Sequence, residues 1–99
     1  MDNEDLNKTA EYYLNLAMEK MESEDYKGAI EDFSKAIDLD PNYIDAYYNR
    51  GFAKFELQDY EGAIEDYSKT IELDPNSTDA RNNIEIAKQK LKQINKAPL

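Results

Sequence analysis

One register dominates this chain: residues 10–43 laid over residues 44–77 match at 18 of 34 positions. The matches include Tyr13/Tyr47, Asn15/Asn49, Lys20/Lys54, Glu22/Glu56, Asp25/Asp59 and Tyr26/Tyr60. The block Gly28-Ala29-Ile30-Glu31-Asp32 recurs as Gly62-Ala63-Ile64-Glu65-Asp66, and Leu39-Asp40-Pro41-Asn42 recurs as Leu73-Asp74-Pro75-Asn76. Self-similarity at a period of this size marks stacked supersecondary units, each burying its apolar face only against a neighbour. No other feature of the chain constrains its fold as strongly.

Each unit reads as two helices. The first spans about residues 10–23 and 44–57 and ends at a polar break, Glu24-Asp25 or Gln58-Asp59. The second spans about 26–39 and 60–73, with Ala29, Ile30, Phe33 and Ile37, or Ala63, Ile64, Tyr67 and Ile71, forming a helical stripe. Pro41 and Pro75 bias the residues before them out of helix and close the unit. A fifth helix near 79–95 carries Ala80, Ile84, Ala87, Leu91 and Ile94 on one stripe, as expected of a terminal cap. The organisation is then a tail or helix extension over 1–9, repeat 1 over 10–43, repeat 2 over 44–77, a capping helix over 78–96 and a tail over 97–99.

The unit resembles the tetratricopeptide repeat. The positions that carry the resemblance are Tyr13, Ala17, Asp25-Tyr26, Ala29-Ile30, Phe33, Ala36 and Pro41 in repeat 1. In repeat 2 they are Tyr47, Gly51, Asp59-Tyr60, Ala63-Ile64, Tyr67, Thr70 and Pro75. The implied fold is all-α, a right-handed α-solenoid of antiparallel helix hairpins with five helices. Departures are Lys20 and Lys54 where an aromatic is common, Glu24 and Gln58 where Gly often ends the first helix, and Thr70 where Ala is usual. The small residues Ala17 and Gly51 are expected beside Ala29 and Ala63, letting helix backbones approach closely.

Composition narrows the function. The chain has no His and no Cys, which removes the common general base, the thiolate nucleophile and most transition-metal ligands. No catalytic site, metal or cofactor is expected. The 22 carboxylates recur with the repeat, and Glu31-Asp32 and Glu65-Asp66 read as solvated faces. The lysine ladder Lys20, Lys54, Lys88 reads as solvated stems lying along the helices. Asp38-x-Asp40-x-Asn42 opens like a calcium loop, but Tyr43 stands where the loop needs Gly and Asn49 where it needs Glu. Those residues read as turn formers around Pro41.

A net charge of −10 disfavours nucleic acid and anionic membrane. The acidic N-terminus lacks the pattern of a signal peptide, and a cytoplasmic location is expected. Charge is uneven: residues 78–99 carry +3 and residues 1–77 carry −13. That split suggests head-to-tail contacts between copies.

In this family the first helices of successive repeats line a concave groove. Beyond the packing stripe Tyr13, Leu16, Ala17, the first helix holds a second apolar row, Leu14, Met18, Met21. Repeat 2 continues it as Tyr48, Phe52, Phe55, and the capping helix as Asn82, Ile86, Gln89. The groove is therefore expected to use Leu14, Met18, Met21, Tyr48, Phe52, Phe55, Asn82 and Ile86. The resemblance adds Asn49 as a backbone-binding amide. The family's best-known ligand is the acidic C-terminal tail of a chaperone, held by a clamp of Lys, Asn, Asn, Lys and Arg. Those places here hold Leu14, Met18, Asn49, Asp79 and Asn83, so that ligand is not expected. The expected function is a non-catalytic protein-interaction module that binds an apolar peptide or helix with basic flanks. The alternative is a self-assembly module, a homo-oligomer through groove or end contacts.

Overall fold

The computed structural model describes residues 8–96, so the tail assigned to 97–99 and most of that assigned to 1–9 lie outside it. Five helices follow in order: α1 Ala10–Glu22, α2 Tyr26–Leu39, α3 Ile44–Glu56, α4 Tyr60–Leu73 and α5 Thr78–Asn95. Four of the five starts carry a side-chain cap. Thr9 accepts from the Tyr12 N–H, Asp25 from Gly28, Asp59 from Gly62 and Ser77 from Ala80. Each such bond satisfies one of the amides that a helix start leaves without an internal partner.

The breaks within the hairpins are left-handed turns. Glu24 has φ 62° and Gln58 has φ 66°. Around Glu24, Asp25 N–H donates to Lys20 O at 2.8 Å and Glu24 N–H to Met21 O at 3.0 Å. Asp59 and Gln58 repeat the pair on Lys54 O and Phe55 O, at 2.8 and 2.9 Å. This pattern normally recruits Gly, because a side chain in that conformation costs about 1–2 kcal/mol. Glu24→Gly and Gln58→Gly are each expected to stabilise the fold by about 0.5–1 kcal/mol, after the extra entropy Gly loses on folding. Thermal denaturation measures this, and a lowered midpoint in both variants would contradict it.

The turns between hairpins are Asx turns. Asp40 Oδ1 accepts from Asn42 N–H at 3.1 Å, and Asp74 Oδ1 from Asn76 N–H at 3.2 Å. The next helix then grips the Pro carbonyl: Tyr47 Oη donates to Pro41 O at 2.9 Å and Arg81 Nη2 to Pro75 O at 2.6 Å.

Each helix packs chiefly on its neighbours in sequence, giving a body of 58 × 29 × 18 Å, as a linear stack requires. Small residues let the helices close up. Ala17, Ala29, Ala36 and Ala46 surround the buried Phe33, and Ala63, Ala80 and Ile84 surround the buried Tyr67. Gly51 approaches its hairpin partner closely. A Cβ there would meet the Tyr67 ring at 3.1 Å and Asp66 Cβ at 3.3 Å, so Gly51 makes room for those two residues. Burial along the cap falls off toward its end: Leu91 is half-buried, and Ile94, 56% exposed, lies over an open hollow with Gln58 and Tyr60.

Two carboxylates overturn the solvated-face expectation. Asp32 and Asp66 are buried, at 4% and 3% exposure, while Glu31 and Glu65 beside them face water. Asp66 receives Arg50 through Nε and Nη2, both at 2.8 Å, and Lys54 Nζ at 3.1 Å. Arg50 Nη1 also donates to Ser34 Oγ at 3.0 Å, tying repeat 2 to repeat 1. Lys20 Nζ lies 2.7 Å from Asp32 Oδ2. Lys20 and Lys54 are therefore not free stems. They stand where an aromatic is common because each meets a buried carboxylate from the second helix. Thr70 likewise fits the place of an Ala, since its hydroxyl donates to Asp66 O at 2.9 Å.

Candidate functional site

The first helices α1, α3 and α5 present the residues expected to line the groove, and packing has already claimed some of them. Leu14 and Met21 lie half-buried against the first core cluster, and Tyr48 and Phe55 against the second. Met18, Phe52 and Ile86 remain free, at 39%, 41% and 44% exposure.

Between α3 and α5 lies a hollow of about 130 Å³, lined by Phe52, Phe55, Glu56, Tyr67, Asn83 and Ile86. Its walls are held from behind. The Phe55 ring meets Tyr60 edge-on at 5.0 Å, and Tyr48 lies against Tyr67 with centroids 5.6 Å apart. Asn83 Nδ2 donates to Tyr48 Oη at 3.1 Å, bridging the two helices. Tyr67 is 1% exposed. Burial, then the neighbouring Tyr48, pushes its hydroxyl far above the ordinary tyrosine range, with the Asn83 hydrogen bond opposing.

Of the expected set, Phe52, Phe55 and Ile86 come together here. Tyr48 supports the cavity from beneath. Leu14, Met18 and Met21 lie on α1 and do not line it. Asn49 donates Nδ2 to Asp45 O of its own helix at 2.8 Å and does not line the cavity. Asn82 sits elsewhere, in a hollow of about 370 Å³ with Ile71, Arg81, Ile84 and Glu85. Asn83, the next residue along α5, lines the cavity. A further hollow of about 310 Å³, with Lys8, Tyr13, Lys35, Asp38 and Leu39, is more open to solvent and carries charged tips.

Among the described residues no helix is long and apolar enough to cross a membrane. Comparison with curated protein sequences finds no match. Two family profiles do match: "TPR repeat" over residues 19–58 and "Tetratricopeptide repeat" over residues 44–77. Solved structures agree. A crystal structure of MamA superposes with a TM-score of 0.83 at 31% identity, over 85% of this chain and 49% of that one, so the chain spans about half of MamA. The first TPR of Spaghetti (RPAP3), bound to the HSP90 peptide SRMEEVD, gives 0.82 at 32% identity, over 85% of this chain and 67% of that one. The first TPR domain of human RPAP3 gives 0.82 at 31% identity, over 90% and 71%. With its periodicity, its stacked hairpins and these likenesses, the chain belongs to the tetratricopeptide repeat family.

Proposed function

We propose that this chain is a non-catalytic interaction module that binds a segment of another polypeptide on its α3–α5 face. The observation that carries the reading is the apolar cavity between Phe52, Phe55 and Ile86, with two of those side chains more than 40% exposed. Exposed apolar side chains gathered around a hollow mark a contact surface, and an aromatic anchor there supplies much of the binding energy. Met18, Leu14 and Met21 extend the apolar row along α1, and a flexible Met adapts to varied shapes. The Spaghetti (RPAP3) domain binds an acidic peptide. This chain is proposed to prefer a different ligand, because Leu14, Met18, Asn49, Asp79 and Asn83 put no cation at the clamp positions.

The test compares Phe52→Ala with the exposed control Glu65→Ala, titrated against a partner purified from the source cell. Phe52→Ala is expected to weaken binding about thirtyfold, the equivalent of roughly 2 kcal/mol at an anchor, while Glu65→Ala leaves it unchanged. Equal affinities, with both variants helical by circular dichroism, would move the interaction surface elsewhere.

A further inference from the structure

We infer that the Asn76–Ser77 bond is a site of spontaneous deamidation whose isoaspartate product loosens the capping helix. The inference is independent of the proposed binding face. Of the nine asparagines, only Asn76 precedes a residue as small as Ser. Asn76 is exposed in the turn between α4 and α5, and its side-chain amide has no hydrogen-bond partner among the described residues. Asn15, Asn49, Asn82 and Asn83 sit inside helices, where the following amide is bonded back into the ladder. After Asn95, the Lys96 N–H is held on Lys92 O at 3.0 Å. The repeat supplies an internal control. Asn42 occupies the same turn, with its own N–H on Asp40 Oδ1 at 3.1 Å and the next N–H on Asp40 O at 3.1 Å. Asn76 matches both bonds, on Asp74 Oδ1 at 3.2 Å and, through Ser77, on Asp74 O at 3.1 Å. The two turns differ in the residue that follows, Tyr43 or Ser77.

The reaction, one source of asparagine's thermal lability, needs no enzyme and only water. When the turn opens, the Ser77 amide nitrogen gives its proton to solvent and attacks Asn76 Cγ. A bond forms between that nitrogen and Cγ, the Cγ–Nδ2 bond breaks, and ammonia leaves. The cyclic imide then takes up water at one of its two carbonyls. Cleavage of the new bond leaves an ordinary aspartate. Cleavage of the old peptide bond leaves isoaspartate, with the main chain rerouted through Cβ and Cγ. A bulky next residue shields the nitrogen, as Tyr43 does while packed against the first core cluster, and Ser77 does not. Isoaspartate adds a methylene to the main chain beneath two bonds that span it, Ser77 N–H to Asp74 O and Arg81 Nη2 to Pro75 O at 2.6 Å. Those bonds fix the start of α5, where Ser77 caps the Ala80 N–H. Aspartate keeps the chain length and puts its charge near the positive end of α5.

The test incubates the whole chain in warm neutral buffer and follows each asparagine by peptide mapping and mass spectrometry. A synthetic peptide of residues 70–80 serves as the unfolded reference. Asn76 is expected to convert about tenfold faster than Asn42, a barrier about 1.4 kcal/mol lower, and ahead of every helical asparagine. The isoaspartate fraction should unfold at a lower urea concentration than fresh protein, with α5 amides exchanging faster. Asn76→Asp should hold or raise the midpoint. Equal rates at Asn42 and Asn76, or an intact Asn76 once the reference peptide has converted, overturns the site. An unchanged midpoint in the isoaspartate fraction, or a loss on ageing that persists in Asn76→Ala, overturns the consequence. An equal fall in Asn76→Asp would trace the effect to charge and overturn the main-chain account.

Discussion

Asp66→Ala is expected to cost about 3–5 kcal/mol, the usual penalty for removing one partner of a buried ion pair. A domain of this size has only roughly 5–15 kcal/mol to lose. The size of the effect follows from what would be left behind. The Arg50 side chain is 18% exposed and that of Lys54 19%, so neither reaches water easily once the carboxylate is gone. Arg50 also holds Ser34, so the damage extends into the interface between repeats. Asp32→Ala is the comparison that gives this prediction its content. The partner of Asp32, Lys20, is 39% exposed and can hydrate without opening the hairpin. A loss nearer 1 kcal/mol is expected there, the scale of a solvent-screened pair. Urea denaturation of the two variants decides the matter. Equal losses would mean that these carboxylates matter through local packing and not through the cations they hold.

Deleting residues 78–99 is expected to destabilise the remainder by roughly 3–6 kcal/mol, from two large side chains at about 1.5–3 kcal/mol each. Ile84 leaves with α5, and Tyr67, now 1% exposed, loses the helix that covers it. The Asn83–Tyr48 hydrogen bond goes too, and with it one wall of the cavity. In a linear stack each unit is stable only against a neighbour, so the loss falls first on repeat 2. The truncated chain should show a lower urea midpoint and a broader transition, with α4 amides exchanging faster than α2 amides. A midpoint equal to that of the full chain would show that α5 is an appendage and not a cap.

Much of the architecture is legible in the sequence. The helices start and stop within a residue or so of the expected bounds, because the signals there are local: Asp25 and Asp59 as caps, Pro41 and Pro75 as stops. The turns at Asp40 and Asp74 were legible for the same reason, since a side chain bonding an amide two residues on needs no distant partner. The departures from the family pattern do not show their reason in the sequence, where the lysines read as solvated stems. Lys20, Lys54 and Thr70 are odd residues at packing positions, and each turned out to have a buried polar partner.

What the sequence by itself determined is the unit, its ends and its stacking order, all properties of one helix or of a repeated pattern. What only the tertiary structure decided is which of two adjacent residues turns inward. Neighbours on a helix point about 100° apart, so Glu65 and Asp66 look alike in sequence while one is in water and the other closes on Arg50. The same rotation separates Asn82 from Asn83, placing one at the open side of α5 and the other in the cavity beneath Phe52 and Ile86. A repeat fixes which positions are equivalent. The angle at which two helices meet fixes which of those positions touch, and that angle is set by the packing of Ala, Gly and Tyr side chains between them.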